Sequence, residues 1–405
     1  MKIEQKTKKE KRVLLVGVGA TGSQIVKFLE KQKEVIQIIC ISNNLKKALE
    51  YVDQTSPKIK LVQADAAKPK QILKYSKNVD LIINASLPIY NKNIIKVALE
   101  VGANYQDTCS YLEEGYKADQ LKYNLDFRDK NLVALINTGI SPGVTNLLAK
   151  EASEKFDEIE WIKFRIIQEN KADRLVFSWS AQLTIEEICA PPIFYEYGQF
   201  KKDFPLSREE EYEYPGGFGK KICYAVQGDE IATIPLFIKA RRVDYKISGE
   251  DIRLFYILNQ LGMFSKKKIK ISKAQIAPIE LFKKLNLQVP TPKQILELKQ
   301  TSPAIENSVF ASTIEVYGVK DYSPLKVRYT AIYPTFKQIP KEFSGATYIS
   351  YPTAMAVSSF AKYIDEIKIK GVLPPELIPK NVRKMILDDL KNQGMVLIED
   401  RMGQQ

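Results

Sequence analysis

Six residues near the start of the chain, Gly17-Val18-Gly19-Ala20-Thr21-Gly22, have the spacing that lets a backbone turn hold a diphosphate. Gly17 makes the tight turn, Gly19 lets backbone approach a pyrophosphate, and Gly22 lets a helix pack closely on a strand. Ala20 and Thr21 open that helix, whose free N–H groups and positive dipole end suit phosphate oxygens. Roughly 20 residues after such a motif an NAD enzyme places Asp or Glu on the ribose hydroxyls. Here that place reads Ile41-Ser42-Asn43-Asn44, followed by Lys46 and Lys47, with no carboxylate. Hydroxyl and amide groups beside ammonium groups fit a 2′-phosphate, so NADP(H) is expected, with NAD(H) the alternative.

The remaining candidates lie where strands of such a fold end, because ligands of an open α/β sheet sit beyond those ends. They are Asp65, Ala85-Ser86-Leu87-Pro88, the run Asp107-Thr108-Cys109-Ser110-Tyr111, and Thr138-Gly139-Ile140-Ser141-Pro142-Gly143. The expected cofactor contacts are Gly17, Gly19, Ala20, Thr21, Gly22, Ser42, Asn43, Asp65, Ala85 and Leu87. Asp107, Cys109, Ser110 and Tyr111 carry the hydrogen-bonding and titratable groups nearest the reacting centre. Each has a plainer alternative: Asp107 and Ser110 as helix caps, Cys109 as a small core residue, Tyr111 as packing. The chain contains no histidine, which excludes Ser-His-Asp and Cys-His hydrolases and His-dependent zinc sites. Cys40, Cys109, Cys189 and Cys223 are far apart with no CxxC pair, so neither a zinc ribbon nor a disulfide framework is expected, and no metal.

Those positions need a parallel sheet to hold them. The runs 13–19, 35–41, 60–65, 79–85, 103–109 and 132–139 read as strands. Helical patterns alternate with them at 21–33, 45–52, 69–77, 91–102 and 112–130, the fourth closed by Gly102. That alternation predicts a Rossmann-type doubly wound sheet over residues 11–141. From 142 to 345 the texture changes to longer alternating strands at 158–167, 173–180, 309–318 and 326–333, with helices at 250–261 and 278–285, giving an inserted α+β substrate and dimerisation domain. Residues 346–405 read as helices, at 351–362 and 379–392, that return to the first domain.

At 405 residues the chain is long enough for about two or three domains. With 45% hydrophobic and 27% charged residues it is neither disordered nor collagen-like. The uncharged stretches 131–149 and 343–361 carry too many polar residues and prolines to cross a bilayer, and the apolar run after the basic start is short enough to be a strand rather than a leader. No membrane association is expected, and a reducing cytoplasm is the simplest setting. The formal charge of +13 comes from scattered lysines with clusters only at 6–12 and 266–270, which argues for anionic small ligands and not for nucleic acid.

The order of several strings resembles the saccharopine dehydrogenase family, in its glutamate-forming and carboxynorspermidine dehydrogenase branches. They are GVGATG at 17–22, INASLP at 83–88, QDTCSY at 106–111, GISPGV at 139–144 and FSWS at 177–180 with Tyr195 and Gly198. YPGG at 214–217 and FYILNQLGMF at 255–264 leading to APIELFKKL follow in family order. The resemblance implies a nicotinamide-binding Rossmann domain interrupted by a substrate domain, a homodimer, and hydride transfer to or from the imine carbon of an amino-acid or polyamine conjugate. It also marks a departure, because the family turn Gly-x-Asp-Pro-Gly stands here as Gly139-Ile140-Ser141-Pro142-Gly143, and Asn146 stands where relatives often have His. Asp107 with Tyr111 is then expected to face the imine, and Arg242 to bind a substrate carboxylate. A carbonyl or enoyl reductase of the same fold, and a non-catalytic dinucleotide sensor, stay open as alternatives.

Overall fold

Leu14, Leu15, Leu81, Ile82 and Ile83 are fully buried, as strands covered on both faces must be. They belong to a sheet of β1 (Lys11–Val16), β2 (Val35–Ser42), β3 (Ile59–Gln63), β4 (Leu81–Asn84), β5 (Asn104–Asp107) and β6 (Val133–Leu135). In the computed structural model, which describes residues 10–284 and 289–403, these strands run in the order β3-β2-β1-β4-β5-β6, all parallel. Most of the lysine-rich start and the last residue of the helix expected at 278–285 lie outside the described residues. Side chains alternate across the sheet: Val13 and Leu15 join one apolar cluster with the helix Ser350–Tyr363, while Leu14 and Val16 join another with the helix Asn91–Val101. The order reverses between β1 and β4, which opens the crevice beyond their carboxyl ends.

The second sheet is built on the long strand Glu158–Glu169, parallel to Arg242–Ser248 on one side and antiparallel to Val309–Lys320 on the other. Val309–Lys320 and Ser323–Ile332 form a hairpin through Asp321 and Tyr322, both at positive φ as a two-residue turn requires. The strand expected at 173–180 does not form, and the segment is bent coil. Both flanks of Glu158–Glu169 are already paired, so no ladder is free for it, and Phe177 turns inward against Phe255.

The helix expected at 112–130 is likewise absent as one element. A hairpin of Leu112–Glu113 and Lys117–Ala118, a 3-10 turn and the short helix Asn124–Asp129 replace it. Glu114 and Gly115 at positive φ break the helical path, and Gln120 is drawn into the core by Asp107. The helix after β2 is one turn long, Leu45–Ala48, capped by Asn44.

The C-terminal segment does more than return as helices. Ser350–Tyr363 packs on Ala20–Glu30 through Phe28, whose ring lies 4.4 Å from Phe343 and 5.4 Å from Tyr351. Gly371–Leu373 then adds a seventh parallel strand beside β6. The final strand, Val396–Gly403, leaves the nucleotide domain and pairs antiparallel with Ser323–Ile332 of the second sheet.

Candidate active site

A cleft of about 490 Å³ opens at the β1/β4 crevice and runs from the glycine loop to the second sheet. Gly17 sits at φ +98°, and a Cβ there would stand 2.7 Å from the Ala85 carbonyl oxygen; a Cβ on Gly22 would stand 2.0 Å from the carbonyl oxygen of Gly17. Both glycines are required by the protein's own backbone. Gly19 differs: its φ is ordinary and a Cβ would meet nothing within 4 Å, so the space over it is open. The helix begins at Ala20 with no side-chain cap, leaving the first N–H groups without intrahelical acceptors. This cradle fits a dinucleotide diphosphate.

The expected cofactor residues Gly17, Gly19, Ala20, Thr21, Gly22, Ser42, Asn43, Asp65, Ala85 and Leu87 all line this cleft. Ser42 Oγ accepts from the Asn44 N–H at 3.2 Å, and Asn44 Oδ1 accepts from the Lys47 N–H at 3.0 Å, so the β2 end is a rigid turn. Lys47 is the sole cation among the described residues lining the cleft.

The expected catalytic residues are placed otherwise. Asp107 is 1% exposed and does not line the cleft. One carboxylate oxygen accepts from the Asn137 N–H at 2.8 Å and the other from Gln120 Nε2 at 2.9 Å. Burial pushes its pKa up to about 7 against those hydrogen bonds. It braces β5 against the turn after β6 and cannot face a substrate. Ser110 is also buried; its N–H donates to Asp229 at 2.9 Å and its hydroxyl to Asn137 at 2.8 Å. Tyr111 is half-exposed outside the cleft. Arg242 bonds Tyr197 and lies 5.3 Å from the Trp161 ring, also outside it. Of the four strand-end candidates only Cys109 lines the cleft, with burial pushing its thiol well up.

Other residues take their place: Ser141 of the strand-end turn, and beyond it residues of the substrate domain that sequence reasoning missed. Ser141 lines the cleft, and its Oγ donates to Glu230 Oε1 at 2.6 Å. Glu230 begins the helix Glu230–Phe237 and is fully buried; it also accepts from Thr145 at 2.7 Å, while its other oxygen has no hydrogen-bond partner. Glu230 does not itself line the cleft but stands one hydrogen bond behind Ser141. Ser141 Oγ also lies 3.2 Å from the Tyr245 hydroxyl. Because the one Ser141 proton goes to Glu230, Tyr245 must donate to Ser141, and its lone pairs are left for the cleft.

Trp179 and Glu187 complete that end, Glu187 from the helix Ala181–Cys189. Burial raises the Glu187 carboxyl well above its ordinary value, and the charges of Asp229 and Glu230 raise it further. Asp229 and Glu376 are each pushed up to about 7, mainly by burial. The FSWS string was the only sequence signal for Trp179. Glu187, Glu230 and Tyr245 carried none, being remote in sequence from the strand ends they meet.

Residues 13–135 match the family described as saccharopine dehydrogenase NADP binding domain, and residues 139–395 the one described as saccharopine dehydrogenase C-terminal domain. The chain is 25% identical over 298 residues to carboxyaminopropylagmatine dehydrogenase of Synechocystis, covering 71% of this chain and 74% of that one. It is 25% identical over 272 residues to carboxynorspermidine synthase of Vibrio cholerae, covering 63% of each, so under two thirds of that protein. Among solved structures, apo saccharopine dehydrogenase (L-Glu forming) of Saccharomyces cerevisiae superposes with TM-score 0.70 at 14% identity, over 97% of this chain and 100% of that one. Homospermidine synthase of Legionella pneumophila, solved with NAD, gives TM-score 0.68 at 14% identity over 97% and 91%. At such identities these two structures establish the common fold.

Proposed function

The chain belongs to the saccharopine dehydrogenase family, and from that premise we propose that it is a pyridine-dinucleotide oxidoreductase joining two amino-acid- or polyamine-derived partners through a C–N bond. The observation that carries this reading is the single cleft in which the glycine cradle and the Ser141–Tyr245 pair of the opposite domain both stand. A primary amine and an aldehyde condense to an imine with loss of water, and the protonated imine accepts hydride at carbon to give a secondary amine. When bound, the reduced nicotinamide supplies that hydride and leaves oxidised. Gly19 and the N–H groups of the helix starting at Ala20 hold the diphosphate.

The protein's own work is then orientation and charge matching, since an iminium already attracts hydride. Tyr245 presents an oxygen lone pair suited to the iminium N–H, kept in place by Ser141, which in turn donates to Glu230. Trp179 walls the cleft, and the Gly139–Gly143 turn, where a Cβ on Gly143 would stand 2.0 Å from the Gly139 oxygen, fixes Ser141. The absence of a carboxylate at Ser42-Asn43-Asn44, with Lys47 in the lining, supports NADP(H) as the preferred dinucleotide.

The test is a panel of amines and aldehydes with NADPH and NADH. Oxidation of NADPH only when both carbon partners are present is expected. Oxidation with an aldehyde alone would instead mark a carbonyl reductase, binding without turnover a sensor, and tighter use of NADH would overturn the cofactor assignment.

A further inference from the structure

One segment of the second domain turns apolar and basic side chains outward together. The helix Glu250–Gln260 buries Ile252 and Phe255, while Leu254, Ile257 and, at its end, Leu261 lie on the opposite face and stay exposed, Leu261 to 73%. Next comes a hairpin of Ile269–Ile271 and Ala274–Ile276, which pairs with no other strand among the described residues. Ile269 opposes Ile276 and Ile271 opposes Ala274, so these four share one face, and Lys270 lies on the other. Ile269 and Ile271 are exposed, as is Leu281 on the helix Pro278–Lys284. Buried Phe264, with its ring 6.2 Å from Phe255 and 5.2 Å from Phe282, ties the two helices into one packed unit. Single exposed apolar residues are ordinary, but six gathered in one segment mark a contact surface.

Charge decides what meets that surface. Between Asp251 and Glu280 the sequence holds no carboxylate and six cations, Arg253, Lys266, Lys267, Lys268, Lys270 and Lys273. The five lysines are exposed, and none forms an ion pair among the described residues. A second copy of this chain is a poor occupant, because a two-fold contact sets the same lysines against each other. Single-stranded nucleic acid is a poor one too, since its bases stack on aromatic faces. The exposed side chains here are aliphatic, and Tyr256 is already stacked on Tyr224 with ring centroids 4.6 Å apart. Aliphatic side chains interspersed with lysines match an anionic bilayer, which offers hydrocarbon beneath a layer of negative headgroups.

We propose that the segment from Leu254 to Leu281 is a peripheral docking surface for an anionic lipid bilayer, its lysines meeting the headgroups and its leucines and isoleucines entering the acyl boundary. This goes beyond the reading of the cleft and does not depend on it. The contact is with the bilayer surface, since no helix among the described residues is long and apolar enough to cross a membrane. The expectation of no membrane association treated the lysines as a scattered charge, whereas the fold sets five of them in the same exposed unit as the apolar stripe.

The experiment is co-sedimentation of the full chain with vesicles of phosphatidylcholine alone and of equal parts phosphatidylcholine and phosphatidylglycerol, at low and high salt. Partitioning onto the anionic vesicles is expected to be about tenfold or more tighter than onto the neutral ones, and to weaken as salt rises. Lys266→Gln, Lys267→Gln and Lys268→Gln together should remove most of that preference, and Leu261→Ser with Ile271→Ser should cut binding severalfold at either salt. Both variants change exposed side chains only, so melting temperature and dinucleotide affinity should match the wild type. A chain lacking residues 2–9, where further lysines stand, should bind the vesicles as before. Equal partitioning onto both vesicle types, loss of binding only in the shortened chain, or wild-type binding by both variants overturns the assignment. Single-stranded RNA bound more tightly than the anionic vesicles would overturn it in favour of a nucleic-acid site. A dimer in sedimentation velocity that Leu261→Ser with Ile271→Ser dissolves would overturn it in favour of self-association.

Discussion

One added methyl group separates two uses of glycine in the dinucleotide loop. Gly19→Ala meets nothing within 4 Å and keeps an ordinary φ, so the protein alone should fold and melt as before. The new Cβ occupies the space a diphosphate needs, and dinucleotide affinity in a fluorescence titration should fall by about tenfold or more. Gly22→Ala drives a Cβ to 2.0 Å from the Gly17 oxygen and should cost about 1–3 kcal/mol in denaturant unfolding before any ligand is added. An unchanged dinucleotide affinity in Gly19→Ala would remove the glycine loop from the cofactor site. This half of the site was legible because it is local, with six consecutive residues between one strand and one helix fixing its geometry. The other half was not. Asp107 sits at the right strand end, yet its side chain turns into the core toward Gln120, and the direction in which a strand-end residue points depends on a loop whose path, through Glu114 and Gly115 at positive φ, no periodicity shows.

Elements were legible in proportion to how completely they are buried. β1, β2 and β4 lie in the middle of the parallel sheet and read as nearly continuous apolar runs. In the second domain, Ile193–Glu196 and Gly219–Ala225, which pair with Arg242–Ser248, and Glu210–Tyr214, which pairs with Gly219–Ala225, are short or have polar faces and left no such signal. The final strand, Val396–Gly403, was hidden in a tail that reads as helix, because its pairing partner lies some seventy residues upstream in a domain the tail had been expected to leave. Its attachment is specific: Glu399 accepts from the Tyr329 hydroxyl at 3.0 Å and pairs with Lys155. Ending the chain after Gly394 should therefore bare the Ser323–Ile332 edge, lower the melting temperature by several degrees and promote association seen by light scattering. The glycine loop, in the other sheet, should still bind dinucleotide with undiminished affinity. A truncated chain that melts like the full one would show that the last strand is dispensable for stability.

The whole chain lacks histidine, so titration of its fold between about pH 5 and 8 must come from groups displaced into that range. Asp107, Asp229 and Glu376 supply it, each pushed to about 7, chiefly by burial, and Asp251 follows at about 6. In the unfolded chain the same groups titrate at about 4. The native state therefore holds more protons than the unfolded state between those values. Stability from these groups is complete below about pH 4 and is lost as pH rises through 7. Glu399 works the other way: its partners Lys155, Arg401 and Tyr329 hold it down to about 2 despite a burial penalty, so its contribution is lost only as pH falls toward that value. The two trends place the optimum on the acid side, and the melting temperature at pH 5.5 should exceed that at pH 8 by several degrees. Asp107→Asn should flatten the slope, because an amide oxygen can still accept from the Asn137 N–H while Gln120, whose Oε1 has no partner, turns to accept from the new NH2. A melting temperature that is flat from pH 5.5 to 8, or an Asp107→Asn slope equal to that of the wild type, would show that these carboxyls ionise freely and that the buried acidic layer behind the cleft is better compensated than its geometry indicates.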